Sequence, residues 1–589
     1  MAKPEHQKFL MGFTRFKIKK FRKEIEPQEI LLDKLSQEKE KELGISEKQL
    51  ETPISQRILK SFWIAILIML FVFFGRTFQL QVVEGGSLSA LAEENKFLNL
   101  SLRAERGVIY DRNLKQLVFN KASFDLICEG EVFLENLSHQ DLIFFESRIS
   151  DFPGCEIKNN TAREYPEGGA FSHLLGYARP TGEKTGLEGY YDDFLKARAG
   201  QLRVEIDAKG SPISKEIISF PEAGDNLVLW LDSDLQEKVA ATLKRQVVKT
   251  GAKGGAVVAL DPKTGGVLAL ASFPTFDNNL FSQGISQEQW QNLQDDPGAP
   301  LFNRAISGVG YPTGSIIKPL VGLAALEEGI ITPEQQIYCP LEICVQNPWD
   351  PEDEECYADW KYHGTSDLKR AIAESVNTFF YQIGGGYEDF EGLGVTKIIQ
   401  WLEEFGWDTK TGVDLPKEGK GTLPVIDDGW TLGYTYHLSI GQGPFSITPI
   451  QVAAAFAAIA NGGDLFQPQI VKKVIDSEKE LVKEIPPKVL RSIPVNPENL
   501  EVVRQGMRQA VTSPQGSAHL LNFLPVAVAA KTGTAQISKE KEIYHNWVTV
   551  LAPYEDPQMV LTVVLERVPG MQAAVLPVAQ QVLSWYFSP

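Results

Sequence analysis

Between Ser61 and Gly75 the chain runs Ser-Phe-Trp-Ile-Ala-Ile-Leu-Ile-Met-Leu-Phe-Val-Phe-Phe-Gly without a charge, and no other stretch narrows the possible architectures as much. A bilayer crossing needs about 20 apolar residues, so this run is too short alone and its continuation to Val83 supplies the length. Arg76 is tolerable in that extension because its stem can lie along apolar surface while the guanidinium reaches the interface. A cleaved signal peptide has an apolar region about this short, yet residues 1–60 precede this one and no clean small-residue cleavage site follows it. The segment therefore reads as an uncleaved transmembrane helix over 61–83. Arg57, Lys60 and the basic run from Arg15 to Lys23 lie on its N-terminal side, which puts a charged arm, 1–60, in the cytoplasm and everything after residue 84 outside.

The 589 residues leave room for two or three domains. A net charge of -18 argues against a general nucleic-acid binder. Five cysteines are too few for a disulfide scaffold, and the odd number leaves at least one unpaired. From 84 to 225 the chain is polar with short strand-like pieces such as Gly107–Tyr110 and Gln201–Ile206, which suits a stalk or a partner surface. The pattern changes near Asn226. Leu227–Leu231 reads as a strand and Asp234–Lys249 as a helix, and the apolar runs Ala256–Leu260 and Val267–Ala271 flank an Asp-Pro-Lys-Thr-Gly-Gly turn as a hairpin. Asn546–Leu551 and Met559–Leu565 look like two more strands, closed by a helical tail from Ala573 to Phe587. Strands at both ends with helices between them predict one α+β domain over 226–589 whose sheet is built from distant segments.

Inside that domain, Gly310-Tyr-Pro-Thr-Gly-Ser315-Ile-Ile-Lys318-Pro319 follows a Pro/Gly turn and leads into an apolar run. At i and i+3 of a helix start, Ser315 and Lys318 share a face, so the amine can take the hydroxyl proton and activate a poor nucleophile. The spacing alone is weak, since Ser36/Lys39, Ser366/Lys369 and Ser538/Lys541 repeat it. Two later segments add what such a pair lacks. Ser375-Val376-Asn377 offers a second hydroxyl and an amide that both donates and accepts. Lys531-Thr532-Gly533-Thr534 follows the apolar strand Val526–Ala530 with a cation, two hydroxyls and a glycine that lets another backbone approach. Lys-Thr-Gly also begins at Lys184, Lys249, Lys263 and Lys410, so the ordered set carries the argument and no single motif does.

That ordered set is the signature by which penicillin-binding proteins and serine β-lactamases are recognised, and the chain resembles a class B penicillin-binding protein over nearly its full length. Arg106–Asn113, Gly186–Tyr191, Ser439-Ile-Gly-Gln-Gly443 and Thr448-Pro449 extend the likeness. Asn377–Tyr381 and the His363-Gly364 stretch resemble the elongation type, penicillin-binding protein 2. The resemblance implies an anchor, a β-rich stalk or pedestal of the dimerisation type, and a transpeptidase domain with a central antiparallel sheet flanked by helices. It implies a D,D-transpeptidase that binds β-lactams and acylates Ser315 with the stem peptide of peptidoglycan. Lys318 would be the base, its pKa lowered by burial and by the nearby cation Lys531; Ser375 would relay the proton and Asn377 would orient lysine and substrate. Lys531, Thr532 and Thr534 would hold the terminal carboxylate beside Gly533, and the N–H groups of Ser315 and Thr534 would form the oxyanion hole. With no glycosyltransferase domain between anchor and stalk, it implies a polytopic glycan-polymerising partner. A β-lactamase or D,D-carboxypeptidase uses the same motifs, and a membrane β-lactam sensor is the non-enzymatic alternative.

Cys339, Cys344, Cys356 and His363 stand between the nucleophile and Ser375. Thiolate and imidazole suit a structural zinc, and some elongation-type relatives hold a metal in this insertion, although the spacing around the histidine departs from theirs. Outside the membrane the competing reading is a disulfide, most simply Cys339 or Cys344 with Cys356, and this is the reading preferred; free buried thiols remain the third.

Overall fold

A computed structural model describes residues 38–39, 41–42, 56–179, 182–207, 211–347, 350–570 and 573–588. The basic run of the N-terminal arm lies outside the described residues. Two compact units divide the chain, Met1–Phe97 and Leu98–Pro589. In the first, helix α1 (Gln56–Phe78) runs on through a wide turn at Gln79–Val83, and its apolar side chains are uncovered by the rest of the unit. It starts five residues before the apolar run does, because helix hydrogen bonding needs no apolar side chain and Gln56–Lys60 are good helix formers.

The second unit is mixed α+β. Its stalk portion is organised by strands β1 (Ile109–Tyr110), β2 (Gln116–Cys128) and β3 (Cys155–Glu164), with β2 and β3 antiparallel over ten residue pairs. Cys128 and Cys155 face each other at the far end of that ladder and form a disulfide. Beside β1 lies β4 (Asn226–Leu229), parallel to it and antiparallel to Val471–Ile475. The strand that begins the apolar pattern near Asn226 thus ties the stalk to the C-terminal half. Arg106 and Arg163 converge on the fully buried Glu188, at 2.7 Å each, so the two stretches Arg106–Asn113 and Gly186–Tyr191 meet as a buried ion network.

The transpeptidase sheet has five antiparallel strands. After helix α2 (Ser233–Thr250) come β5 (Gly254–Leu260) and β6 (Val267–Phe273), the expected hairpin. The nucleophile turn enters helix α3 (Lys318–Glu327), and a two-stranded excursion, β7 (Glu342–Asn347) with β8 (Asp350–Ala358), follows. Next are helices α4 (Leu368–Glu374), α5 (Asn377–Gly385), α6 (Leu432–Ser439), α7 (Pro449–Asn461) and α8 (Pro497–Thr512). The chain closes with β9 (Ala529–Ser538), β10 (Ile543–Ala552), β11 (Met559–Pro569) and helix α9 (Leu576–Tyr586). Strand order is β6-β5-β11-β10-β9.

Side chains alternate across a strand, and here both faces are covered. Val257, Ala259, Leu561 and Val563 join α2 and α9 in one core, while Val258, Val560, Val564 and Trp547 join α3 and α7 in the other. Burial on both faces explains why β10 and β11 read as continuous apolar runs. One expectation needs correcting. Val526–Val528 are not strand; β9 begins at Ala529, and Lys531–Thr534 lie inside it. The ladder to β10 sets the bounds, since Ala529 is the first residue to pair, opposite Leu551.

Candidate active site

The nucleophile candidate sits on a single tight turn, Gly314–Ile317, that feeds straight into α3. Gly314 has φ +53°, and a Cβ there would lie 2.6 Å from the Thr534 carbonyl oxygen of β9. From the other side, a Cβ on Gly533 would lie 2.4 Å from the Thr313 carbonyl oxygen. Two bare backbones therefore press together, and the close approach expected at Gly533 comes from the nucleophile turn. The Gly314 N–H donates to the Gly441 carbonyl at 2.9 Å, and Gln442 Nε2 reaches the Thr534 carbonyl at 3.5 Å. Trp547 Nε1 donates to the Pro312 carbonyl at 3.0 Å. Ser315 is left half-buried between β9 and the Gly441–Gly443 loop.

Lys318 is completely buried. Its Nζ donates to Asn377 Oδ1 at 2.7 Å and to the Ser375 carbonyl at 2.8 Å, and lies 3.4 Å from Ser375 Oγ. The Ser315 hydroxyl is not among its hydrogen-bond partners; Ser375 and Asn377 hold the amine. Lys531, equally buried, donates to Ser375 Oγ at 3.0 Å and to the Thr532 carbonyl at 2.9 Å. Ser375 thus stands between two amines. It is placed there by φ +59°, where it terminates α4 before α5 begins two residues later. A non-glycine residue in this left-handed region is strained, which marks the turn as one that its surroundings hold.

Burial lowers the Lys318 pKa from its ordinary value to about 7, and the Asp359 carboxylate works against that shift. Burial also drives Lys531 well below the usual range, with the Lys318 charge adding to the effect. Burial is the leading cause of the shift at both amines, and the repulsion between them acts on the pair. Two cations this close cannot both stay charged cheaply without an anion.

All eight motif residues come together: Ser315, Lys318, Ser375, Asn377, Lys531, Thr532, Gly533 and Thr534. Ser366, in the competing Ser-x-x-Lys, is buried on a short strand, Gly364–Ser366, and is not among Lys318's hydrogen-bond partners. The cysteine group does not gather as a metal site. Cys344 and Cys356 face each other in the β7–β8 ladder and form a disulfide, which removes both thiolates. Cys339 is buried apart from them, its thiol pushed up to about 12 by burial. His363 lies between Asp359 and Glu374, 3.5 and 3.2 Å away. Among the described residues no three His, Cys, Asp or Glu side chains converge to hold a metal, so these residues do not fit the zinc reading, and the disulfide of Cys344 with Cys356 is one of the two pairings preferred above. Asp359 was not legible in the sequence, because nothing in Ala358-Asp-Trp-Lys-Tyr-His363 marks it as a neighbour of Lys318.

Comparison with known proteins finds two family matches. The penicillin-binding protein transpeptidase domain matches residues 255–584 and the penicillin-binding protein dimerisation domain matches 129–229. The peptidoglycan D,D-transpeptidase MrdA of Escherichia coli K12 is 30% identical over 87% of this chain and 91% of its own. Among solved structures, penicillin-binding protein 2 of Helicobacter pylori in complex with MreC superposes with a TM-score of 0.70 at 27% identity, covering 83% of this chain and 98% of that one. A chain of a peptidoglycan synthase complex, described as coordinating polymerization and crosslinking, gives 0.69 at 25% identity over 90% of this chain and 99% of its own.

Proposed function

The chain belongs to the class B penicillin-binding proteins, the peptidoglycan D,D-transpeptidases that cross-link the cell wall, and on that premise we propose that it works through a serine acyl-enzyme on Ser315. The observation that carries this reading is the bridge at Ser375, where the amines of Lys318 and Lys531 meet one hydroxyl 3.4 and 3.0 Å away. Neutral Lys318 takes the Ser315 proton as Oγ attacks the penultimate D-Ala carbonyl carbon. The C–N bond to the terminal D-Ala then breaks, and the proton passes through Ser375 Oγ to the departing nitrogen. An amine of a neighbouring stem attacks the ester, restores the Ser315 hydroxyl and completes the cross-link.

The terminal carboxylate supplies an anion to Lys531, as Asp359 supplies one to Lys318. With it bound between Lys531, Thr532 and Thr534, Lys531 carries the charge in a charge-assisted contact, and that charge in turn favours neutral Lys318. The N–H groups of Ser315 and Thr534 serve as the oxyanion hole, worth on the order of 3 kcal/mol per donor. Strand β9 ends the sheet order, so its outer edge suits an extended peptide added as a further strand.

The helix Gln56–Val83 is long and apolar enough to cross a membrane. The basic flank supports a cytoplasmic N-terminus and an extracytoplasmic catalytic unit. Because related chains are described with MreC and within a synthase complex, we extend to this chain a partnership with a polytopic glycan-polymerising glycosyltransferase.

Mass spectrometry after incubation with benzylpenicillin tests the mechanism. The expected result is a stable adduct on Ser315 that Ser315→Ala abolishes. An adduct that persists in Ser315→Ala, or that maps to Ser366, overturns the assignment.

A further inference from the structure

Helix α5 starts without a cap of its own. Val376, the residue before Asn377, offers no side-chain acceptor, although the first N–H groups of any helix need partners. Asp359 supplies one from a distant part of the chain. Its Oδ2 accepts from the Thr378 N–H at 2.9 Å and lies 3.1 Å from the Thr378 hydroxyl, and its Oδ1 accepts from the Trp360 N–H at 2.8 Å. On the other side of the turn, Glu374 is the last residue of α4. Its carboxylate is gripped by Lys361 at 3.1 Å and His363 at 3.2 Å, with Arg370 of its own helix at 2.9 Å. Three residues of one short stretch, Asp359, Lys361 and His363, therefore hold both helices that flank the strained Ser375.

We propose that this segment is the clamp that positions the Ser375–Asn377 turn, with Asp359 as its principal positioning residue. The inference rests on the assignment of Ser315 as the acylated residue. Asn377 is the first residue of the helix that Asp359 caps, and its Oδ1 is the closest partner of the Lys318 amine. A shift of the helix start by about 1 Å would therefore reach the base directly, and misplacement on that scale can cost about 100-fold in rate. Asp359 also acts through its charge. Lys318 faces Asp359, Lys531 across Ser375, and the Phe380 ring at 5.3 Å. Asp359 in turn faces His363, the Cys339 thiol and the Tyr381 hydroxyl. Its negative charge is the one that keeps Lys318 from falling further below its ordinary pKa.

Benzylpenicillin acylation rates of the full-length chain, measured against pH together with thermal melting, separate positioning from simple support. Asp359→Asn keeps an acceptor oxygen but loses the charge. Acylation is expected to fall by at least about 10-fold, and the limb over which the rate rises with pH should move down by about one unit. Asp359→Glu should keep the limb where it is. A lowered melting temperature with an unmoved limb in Asp359→Asn means a structural role alone and overturns the proposal. Should Asp359→Asn fail to fold, Thr378→Ala removes the hydroxyl that reaches Asp359 and the Pro340 carbonyl: a rate down by about 3-fold sustains the clamp, and an unchanged rate overturns it. Ser315→Ala serves as the reference. If it still forms an adduct, the acyl-enzyme assignment has failed; if it does not and Asp359→Asn keeps the wild-type profile, only the clamp has failed.

Discussion

The five-stranded sheet and the excursion between Ile337 and Ser366 bring groups to one site by different physics. The sheet is covered on both faces, and Lys531 sits on a strand laddered to β10 from Ala529 to Ser538. The excursion consists of paired strands, Ile337–Cys339 with Gly364–Ser366 and β7 with β8. Its buried side chains Ile343 and Tyr357 share a small cluster with Tyr381 and Tyr436. Two-stranded pieces are marginal on their own, and this one is stapled by the Cys344–Cys356 disulfide and by the contacts of Asp359, Lys361 and His363. The difference teaches that one wall of the site is set by apolar packing and the other by polar contacts and a covalent bond. Substitutions should therefore act differently on the two.

The largest effect is expected where the sheet meets the nucleophile turn. Gly533→Ala places a methyl group 2.4 Å from a backbone oxygen, so turn and strand must part, and benzylpenicillin acylation should fall by about 100-fold. A near-normal rate would mean that the two backbones are not tightly coupled. Next, Leu561→Ala empties a fully buried position in β11 and should cost about 3 kcal/mol in denaturant unfolding. A loss under about 1 kcal/mol would show that the two-sided core is not the main support of that wall.

The third effect should be the most local. Replacing Cys344 and Cys356 together by serine opens a link of sequence separation 12, for which the chain-entropy estimate is about 3 kcal/mol. Hydrogen exchange within Glu342–Ala358 should quicken by about 100-fold while β5 and β11 keep their protection. If the sheet strands quicken equally, the two walls are one cooperative unit and the contrast drawn between them fails.

The sequence by itself determined the parts that rest on local pattern. The apolar run that forms α1, the hairpin β5–β6 and the runs of β10 and β11 were legible as continuous apolar residues, which burial on both faces of the sheet requires of its strands, and the three motifs were legible from their residue types and order. Which Ser-x-x-Lys was used could be argued only from context and from the other two motifs. Tertiary structure alone decided the rest. It put Lys531–Thr534 within β9, because strand bounds follow from pairing with β10. It paired Cys128 with Cys155 and Cys344 with Cys356, because each pair sits opposite in a ladder whose register no spacing reveals. It turned Lys318 toward Ser375 and Asn377 and set Asp359 against the helix that begins at Asn377. Those contacts join residues brought near only when the chain folds, and a single buried carboxylate leaves no periodicity to read.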